Sequence, residues 1–291
     1  MKICDILSGS AKPFPSLEIV PPLNGMTVDE LVSRVEPLME FGPKYVNVTR
    51  HRDDLRMSQK TVCGALMDRF GINVVPHILC AGATGDDIRG ELDAFKEMGI
   101  ENVLALRGDC LSGEKRFVPV PGGYAHASDL VRGIREYRSS EGTVYSIGVA
   151  GYPEKHFEAP NLRTDIENLR KKVDAGADYV ITQLFFDNAL YYSFVDKCRQ
   201  AGIDVPIIPG IKPFSSANQL NLLPQTFSID IPYDLSSEVT RAGEDRERIY
   251  RIGLEWCIMQ CRDLLSHGVP AIHFYTMGRT GNVGEVLKAC F

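Results

Sequence analysis

Glu18 places a carboxylate inside an apolar run, Leu17-Glu18-Ile19-Val20, where a buried strand has no structural use for a charge. Polar groups are costly to desolvate unless partnered, and burial raises a carboxyl's pKa. A carboxyl raised in this way can act as a general acid near neutral pH. The competing structural reading is an ion pair with an arginine across the interior. Other apolar runs end on polar groups in the same manner. Tyr45-Val46-Asn47-Val48 leads into Thr49, and Asn73-Val74-Val75-Pro76 into His77. Asn102-Val103-Leu104-Ala105-Leu106 leads into Arg107-Gly108-Asp109, and Tyr179-Val180-Ile181-Thr182 into Gln183. A series of polar endings, each at the same place on its element, describes one site assembled from many strand ends.

Asp109 follows a glycine that permits a sharp turn and a close approach of backbone to a ligand; a helix or turn cap is the competing reading. Tyr152-Pro153-Glu154-Lys155-His156 gathers an aromatic ring, an acid, a base and an imidazole in five residues, which packing alone does not explain. Asp165, Asn168, Lys171 and Lys172 follow at helical spacing, either as a ligand-facing row or as a solvated face. The Gln183 amide can donate and accept at once, which suits an amide-like ring edge; otherwise it bonds a neighbouring loop.

These residues need elements to hold them. Apolar stripes of helical period cover residues 28–41, 86–98, 165–175, 188–200 and 247–266. Gly99, Gly176, Gly202 and Gly268 stand at or just past the ends of four of them as left-handed stops. Short apolar runs predict strands at 16–20, 44–49, 73–77, 102–107, 143–149, 178–184, 205–209 and 271–275. Strand–helix alternation means parallel strands joined by crossovers. Eight such strands predict an α/β fold, a single (β/α)8 TIM barrel over 1–291, with its site on the C-terminal face of the strands. Residues 110–126 and 224–245, rich in proline and glycine, read as long loops on that face. No GxGxxG or GxxxxGK[ST] fingerprint is present, and Gly82-Ala83-Thr84-Gly85 has the wrong spacing for either.

Bulk properties narrow the class. The chain has 32 basic and 38 acidic residues, a net charge of −6, which argues against nucleic acid as a partner. No apolar run approaches the ~18 residues that would span a membrane. The eight scattered cysteines form no CxxC pair and read as free thiols of a reducing cytoplasm. Cys257 and Cys261 share a helix face, but no further ligand supports a metal there.

The ordered motifs make the resemblance specific. Leu17-Glu18-Ile19-Val20-Pro21-Pro22, Ala105-Leu106-Arg107-Gly108-Asp109, Tyr152-Pro153-Glu154-Lys155-His156, Lys172-Val173-Asp174-Ala175-Gly176-Ala177, Ile181-Thr182-Gln183-Leu184-Phe185-Phe186-Asp187, Pro209-Gly210-Ile211 and His273-Phe274-Tyr275-Thr276 occur in sequence. Nearly the whole chain resembles methylenetetrahydrofolate reductases of the short bacterial type. That resemblance implies a (β/α)8 barrel that binds FAD and reduces 5,10-methylenetetrahydrofolate to 5-methyltetrahydrofolate. NADH or NADPH supplies the electrons, in two half-reactions at one flavin face. It implies Glu18 as the general acid that opens the folate ring, and Asp109 beside flavin and pterin. Gln183 and Arg279 are implied as substrate contacts. Thr49, His77, Arg107, Gly108, Asp109, His126, Ala127, Tyr152, His156, Asp165, Asn168, Lys171 and Lys172 match positions that hold the flavin.

The sequence departs from the family at three of its positions. His126 replaces a usual tyrosine, and Lys171 a common arginine. Ala217 falls near a substrate-stacking aromatic, for which Phe214 or Phe227 could substitute. The resemblance also implies no regulatory domain, and short relatives are often homo-oligomers. Two further readings stand beside it: a flavin-free, folate-dependent methyl-transfer barrel, and a non-catalytic subunit of a folate or electron-transfer assembly.

Overall fold

The computed structural model describes residues 1–22, 25–50, 56–109, 117–137 and 145–291. The apolar runs form parallel strands β1 (Phe14–Ile19), β2 (Tyr45–Val48), β3 (Asn73–Leu79), β4 (Asn102–Leu106), β5 (Ser146–Gly151), β6 (Tyr179–Thr182), β7 (Ile207–Ile208), β8 (Gly210–Ile211) and β9 (Ala271–Tyr275). Their order is β7-β6-β5-β4-β3-β2-β1-β9-β8. The expected 143–149 strand begins later, at Ser146, and its first two residues lie outside the described ones.

The expected strand 205–209 becomes two short pieces around Pro209, which makes nine strands where the pattern predicts eight. Proline has no N–H to give to a ladder, so a strand breaks there. The two pieces pair to opposite neighbours, β7 with β6 and β8 with β9, and so close the barrel. Across the break the His273 N–H donates to the Pro209 carbonyl at 2.9 Å, and the Gly210 N–H to Thr182 Oγ1 at 2.9 Å.

The helices are α1 (Ile3–Gly9), α2 (Val28–Val35), α3 (Arg56–Phe70), α4 (Gly85–Glu97), α5 (Ala127–Glu136), α6 (Leu162–Asp174), α7 (Asn188–Gln200), α8 (Gln219–Phe227), α9 (Tyr233–Ala242), α10 (Arg246–Ser266) and α11 (Thr280–Cys290). The Thr27/Glu30 capping box starts α2, and Pro37 helps turn its continuation into a 3-10 helix, Glu36–Phe41. Gly99, Gly176, Gly202 and Gly268 take φ of 77°, 115°, 76° and 75°, the left-handed stops the pattern predicts.

One expectation needs correcting. Residues 224–245 are not a loop: they hold the end of α8 and all of α9. Pro224 lies inside α8, and Pro232 is the N-cap of α9, a position that donates no helical hydrogen bond. Leu223, Ile229, Leu235, Val239 and Ala242 bury themselves with Phe186 and Phe214 in a cluster of their own. Of the other expected loop, residues 117–126 are irregular apart from a bridge between Thr84 and Gly123; residues 110–116 lie outside the described ones.

Helix α1 plugs the N-terminal end of the barrel. Ile3 and Leu7 pack on Phe14, Leu104, Ile208 and Ala271. The Ile3 N–H, which has no partner within its own helix, donates to Asn102 Oδ1 at 2.8 Å, and the Cys4 N–H to Ser146 Oγ at 3.3 Å. With that end closed, the barrel opens at its C-terminal strand ends.

Candidate active site

A cavity of about 870 Å³ opens at those strand ends, within the size range of ligand clefts. Leu104 and Ile181, from the barrel interior, contribute apolar wall. Glu18, Thr49, His77, Arg107, Gly108, Asp109 and Gln183 all line it, from the ends of β1, β2, β3, β4 and β6. The polar endings of separate strands therefore belong to one chamber.

Among the described residues Glu18 is held by two imidazoles and not by an arginine. His77 Nε2 lies 3.4 Å from Glu18 Oε2, and His273 Nε2 lies 3.8 Å from the same oxygen. His273 is 0% exposed, and its Nδ1 is 2.9 Å from Ser16 Oγ. This geometry reverses the expected pKa. Burial pushes the Glu18 carboxyl up, but the two imidazoles beside it outweigh burial and bring it down to about 2. Burial in turn lowers His273, against the pull of the carboxylate. Glu18 is thus a carboxylate at neutral pH in the ligand-free protein.

Gly108 has φ of 81°, and a Cβ there would come within 2.9 Å of the Ala81 side chain, so the turn before Asp109 needs glycine. Gln183 lines the cavity, and its Oε1 accepts from the Leu184 N–H at 2.8 Å.

Past β5 the polar residues form a linked wall. Tyr152 meets the His156 ring edge-on at 4.9 Å, and Lys172 Nζ lies over the Tyr152 ring at 5.8 Å. Lys172 donates to the Ala150 carbonyl at 2.8 Å; burial, opposed by Asp165, lowers its pKa to about 8. Asp165 on α6 accepts from the His156 N–H at 3.0 Å, and burial together with Arg107 pushes the His156 pKa down. Lys171 donates to Asn168 Oδ1 at 3.0 Å. The row at helical spacing is therefore a cavity wall: Asp165, Asn168, Lys171 and Lys172 all line it. Arg107 is paired with Glu158 and sits over the Phe117 ring at 5.0 Å.

His126 and Ala127 line the cavity where α5 begins, so the positive end of that helix dipole meets the chamber. A buried polar atom on the wall, Thr49 Oγ1, has no hydrogen-bond partner among the described residues. Orphaned donors and acceptors facing a cleft are what a bound polar cofactor would satisfy.

Arg279 is the exception among the expected residues: it does not line the cavity, and its guanidinium donates to Ser215 Oγ at 2.9 Å. Of the two candidate aromatics, Phe227 lines the cavity, while Phe214 is buried against Phe186. Sequence reasoning missed Arg50, whose guanidinium meets Glu91 at 2.9 Å with both side chains buried. A charge directly after Thr49 was the available signal. It also missed the role of His273, which was visible only as part of a motif.

Fold and site together define the class: a (β/α)8 barrel with a deep polar cleft where its strands end, the layout of barrel enzymes. The methylenetetrahydrofolate reductase family model matches residues 2–290. The chain is 35% identical to the 5,10-methylenetetrahydrofolate reductase of Escherichia coli, over 91% of this chain and 86% of that one. A probable methylenetetrahydrofolate reductase (NADPH) of Caenorhabditis elegans is 36% identical, over 95% of this chain. The chain spans about half the length of its eukaryotic relatives, 42% of the worm protein and 45% of methylenetetrahydrofolate reductase (NADH) 1 of Arabidopsis thaliana. Among solved structures, a Clostridium thermocellum protein described as binding two copies of 5-methyl-5,6,7,8-tetrahydrofolic acid shares the fold. It is 14% identical at a TM-score of 0.61, covering 98% of this chain and 96% of that one. This chain belongs to the methylenetetrahydrofolate reductase family.

Proposed function

We propose that the protein reduces 5,10-methylenetetrahydrofolate to 5-methyltetrahydrofolate with NADH or NADPH, through bound FAD, and so serves one-carbon metabolism and methionine synthesis. The observation that carries this reading is the meeting of Glu18, Asp109 and Gln183 in one cavity with the polar wall from Tyr152 to Lys172. Bound flavin would supply the hydride chemistry, accepting from the nicotinamide and donating to the folate; position and electrostatics fall to the protein.

The residues fit such a group. Arg107, Lys171, Lys172 and the start of α5 gather positive charge for phosphates, and Thr49 offers a buried polar atom with no partner among the described residues. Tyr152 and His156 would contact the ring system or its ribityl chain. On the substrate side, the Gln183 amide would pair with the pterin edge. Asp109 would stabilise the cation that forms when the five-membered ring opens. Glu18 would place a proton on the departing folate nitrogen, a contribution of about 10²–10⁴ in rate. The whole set sits on one barrel, which we take as the catalytic unit. The unpaired thiols support a reducing, cytoplasmic setting.

The test separates the two half-reactions in rapid mixing. In Glu18→Gln, reduction of the flavin by NADH should stay within a few-fold of wild type. Oxidation by methylenetetrahydrofolate should fall by about 10² or more. Equal loss in both steps would remove Glu18 from its role as acid.

A further inference from the structure

A group that gives up a proton must hold one, yet Glu18 stands in this cleft as a carboxylate. The atoms around it show where the proton can be kept. Glu18 is approached by His77 from β3 and by His273 from β9, and among the described residues neither imidazole Nε2 has another hydrogen-bond partner. The phenol of Tyr275, also on β9, is a further titratable group bearing on the carboxylate, and Asn47 pairs beside it on β2 without charge.

The two imidazoles are not equivalent. His77 lines the cavity and is 6% exposed, so its ring meets whatever fills the cleft. His273 does not line it, is 0% exposed, stacks on Tyr45 at 6.3 Å, and is fixed through Nδ1 by Ser16. With the Ser16 hydroxyl donating to Nδ1, neutral His273 carries its proton on Nε2 and points it at Glu18.

We propose that the acid of this site is the Glu18–His77 pair, with His77 storing the proton that Glu18 delivers and His273–Ser16 holding the carboxylate in line. The proposal rests on the folate-reducing reading above and deepens it. In the open cleft water solvates a carboxylate–imidazolium pair. Once a ligand excludes that water, two opposite charges in a poorly polarisable pocket are less stable than the neutral acid–imidazole pair. The Nε2–H bond of His77 then breaks and the O–H bond of Glu18 forms, with no net change in charge. Glu18 passes this proton to the substrate nitrogen and returns to carboxylate. Neutral His77 takes its next proton from water that enters the cleft when product leaves. His273 is the positioning residue: it takes no part in the transfer and keeps Oε2 within reach of His77.

Two measurements test this. The first needs no cofactor: the ring-nitrogen resonances of His77 and His273 are recorded by NMR in wild type and in Glu18→Gln. The pair predicts a His77 Nε2–H signal in wild type that Glu18→Gln removes or shifts, because that nitrogen lies 3.4 Å from the carboxylate. The His273 signals should keep their Ser16-bonded pattern in both. An unchanged His77 Nε2 signal would overturn the proposal.

The second uses the FAD-loaded enzyme. In His77→Gln, with rates compared per bound FAD, the folate half-reaction should fall by about 10² more than flavin reduction by NADH does, and lose its dependence on an acid group. In a His77→Gly variant, added imidazole should restore part of that rate. His273→Asn should shift the pH profile of the folate step, and Ser16→Ala should shift it in the same direction. An unaltered pH profile in His77→Gln would leave Glu18 acting alone. Loss of every folate response in wild type would instead strike the underlying functional reading, so the two failures are distinguishable.

Discussion

At the scale of single residues, the sequence marks Glu18 as a candidate for chemistry but misjudges how it is tuned. An acid inside an apolar run is visible in the chain, because burial follows from the pattern. Its two imidazole partners are not, because His77 and His273 lie 59 and 255 positions away and meet it only through barrel closure. The pKa therefore moves down where burial alone predicts a rise.

Glu154 gives the opposite case. Burial, with the charges of Asp230 and Asp187, outweighs a 2.6 Å hydrogen bond from the Asp230 N–H and lifts its carboxyl from 4.5 to about 7. Below pH 4.5 the group is protonated whether folded or not, and stability is unaffected. Between 4.5 and about 7 only the unfolded chain releases the proton, so the folded state loses ground as pH rises. Glu154→Gln should thus match wild type below pH 4.5 and become progressively more stable than it up to pH 7, reaching a difference of about 1–3 kcal/mol. Denaturant melts across that range check the trend. A difference independent of pH would contradict it.

At the scale of elements, glycine stops, helical stripes and most strands are legible because they depend on local periodicity. The broken seventh strand is not: Pro209 closes the run in sequence, but pairing carries the strand on to Ile211. Helices α8 and α9 were hidden for a related reason. Their prolines read as breakers, while what holds them is a separate apolar cluster around Phe186 and Phe214.

That excursion is pressed close to α10. A Cβ on Gly253 would lie 1.9 Å from the Phe214 carbonyl oxygen, a contact no side-chain rearrangement relieves. Gly253→Ala should destabilise the fold by about 1–3 kcal/mol through overpacking, despite alanine's better helix propensity. Thermal unfolding measures it. A neutral or stabilising result would mean that the Phe214 segment moves freely away from α10.

At the scale of the whole molecule, one barrel end is stoppered by α1 and the other carries every predicted site residue except Arg279 on a single cavity. This grouping was legible because parallel strands all end on one face, so strand-end polarity maps directly onto a site. Arg279 escaped that logic. It belongs to the segment after β9, and its guanidinium is turned to Ser215. Among the described residues no helix is long and apolar enough to cross a membrane.

The proposed reaction needs this cavity to hold a flavin that takes electrons from a reduced nicotinamide and yields them to methylenetetrahydrofolate. Its most direct test is a visible spectrum of the FAD-supplemented protein under anaerobic conditions, recorded after NADH and again after the folate. The account predicts a yellow protein that NADH bleaches and methylenetetrahydrofolate recolours. A protein that stays colourless after FAD is added and removed from excess, or a bleached one that the folate leaves bleached, would contradict it.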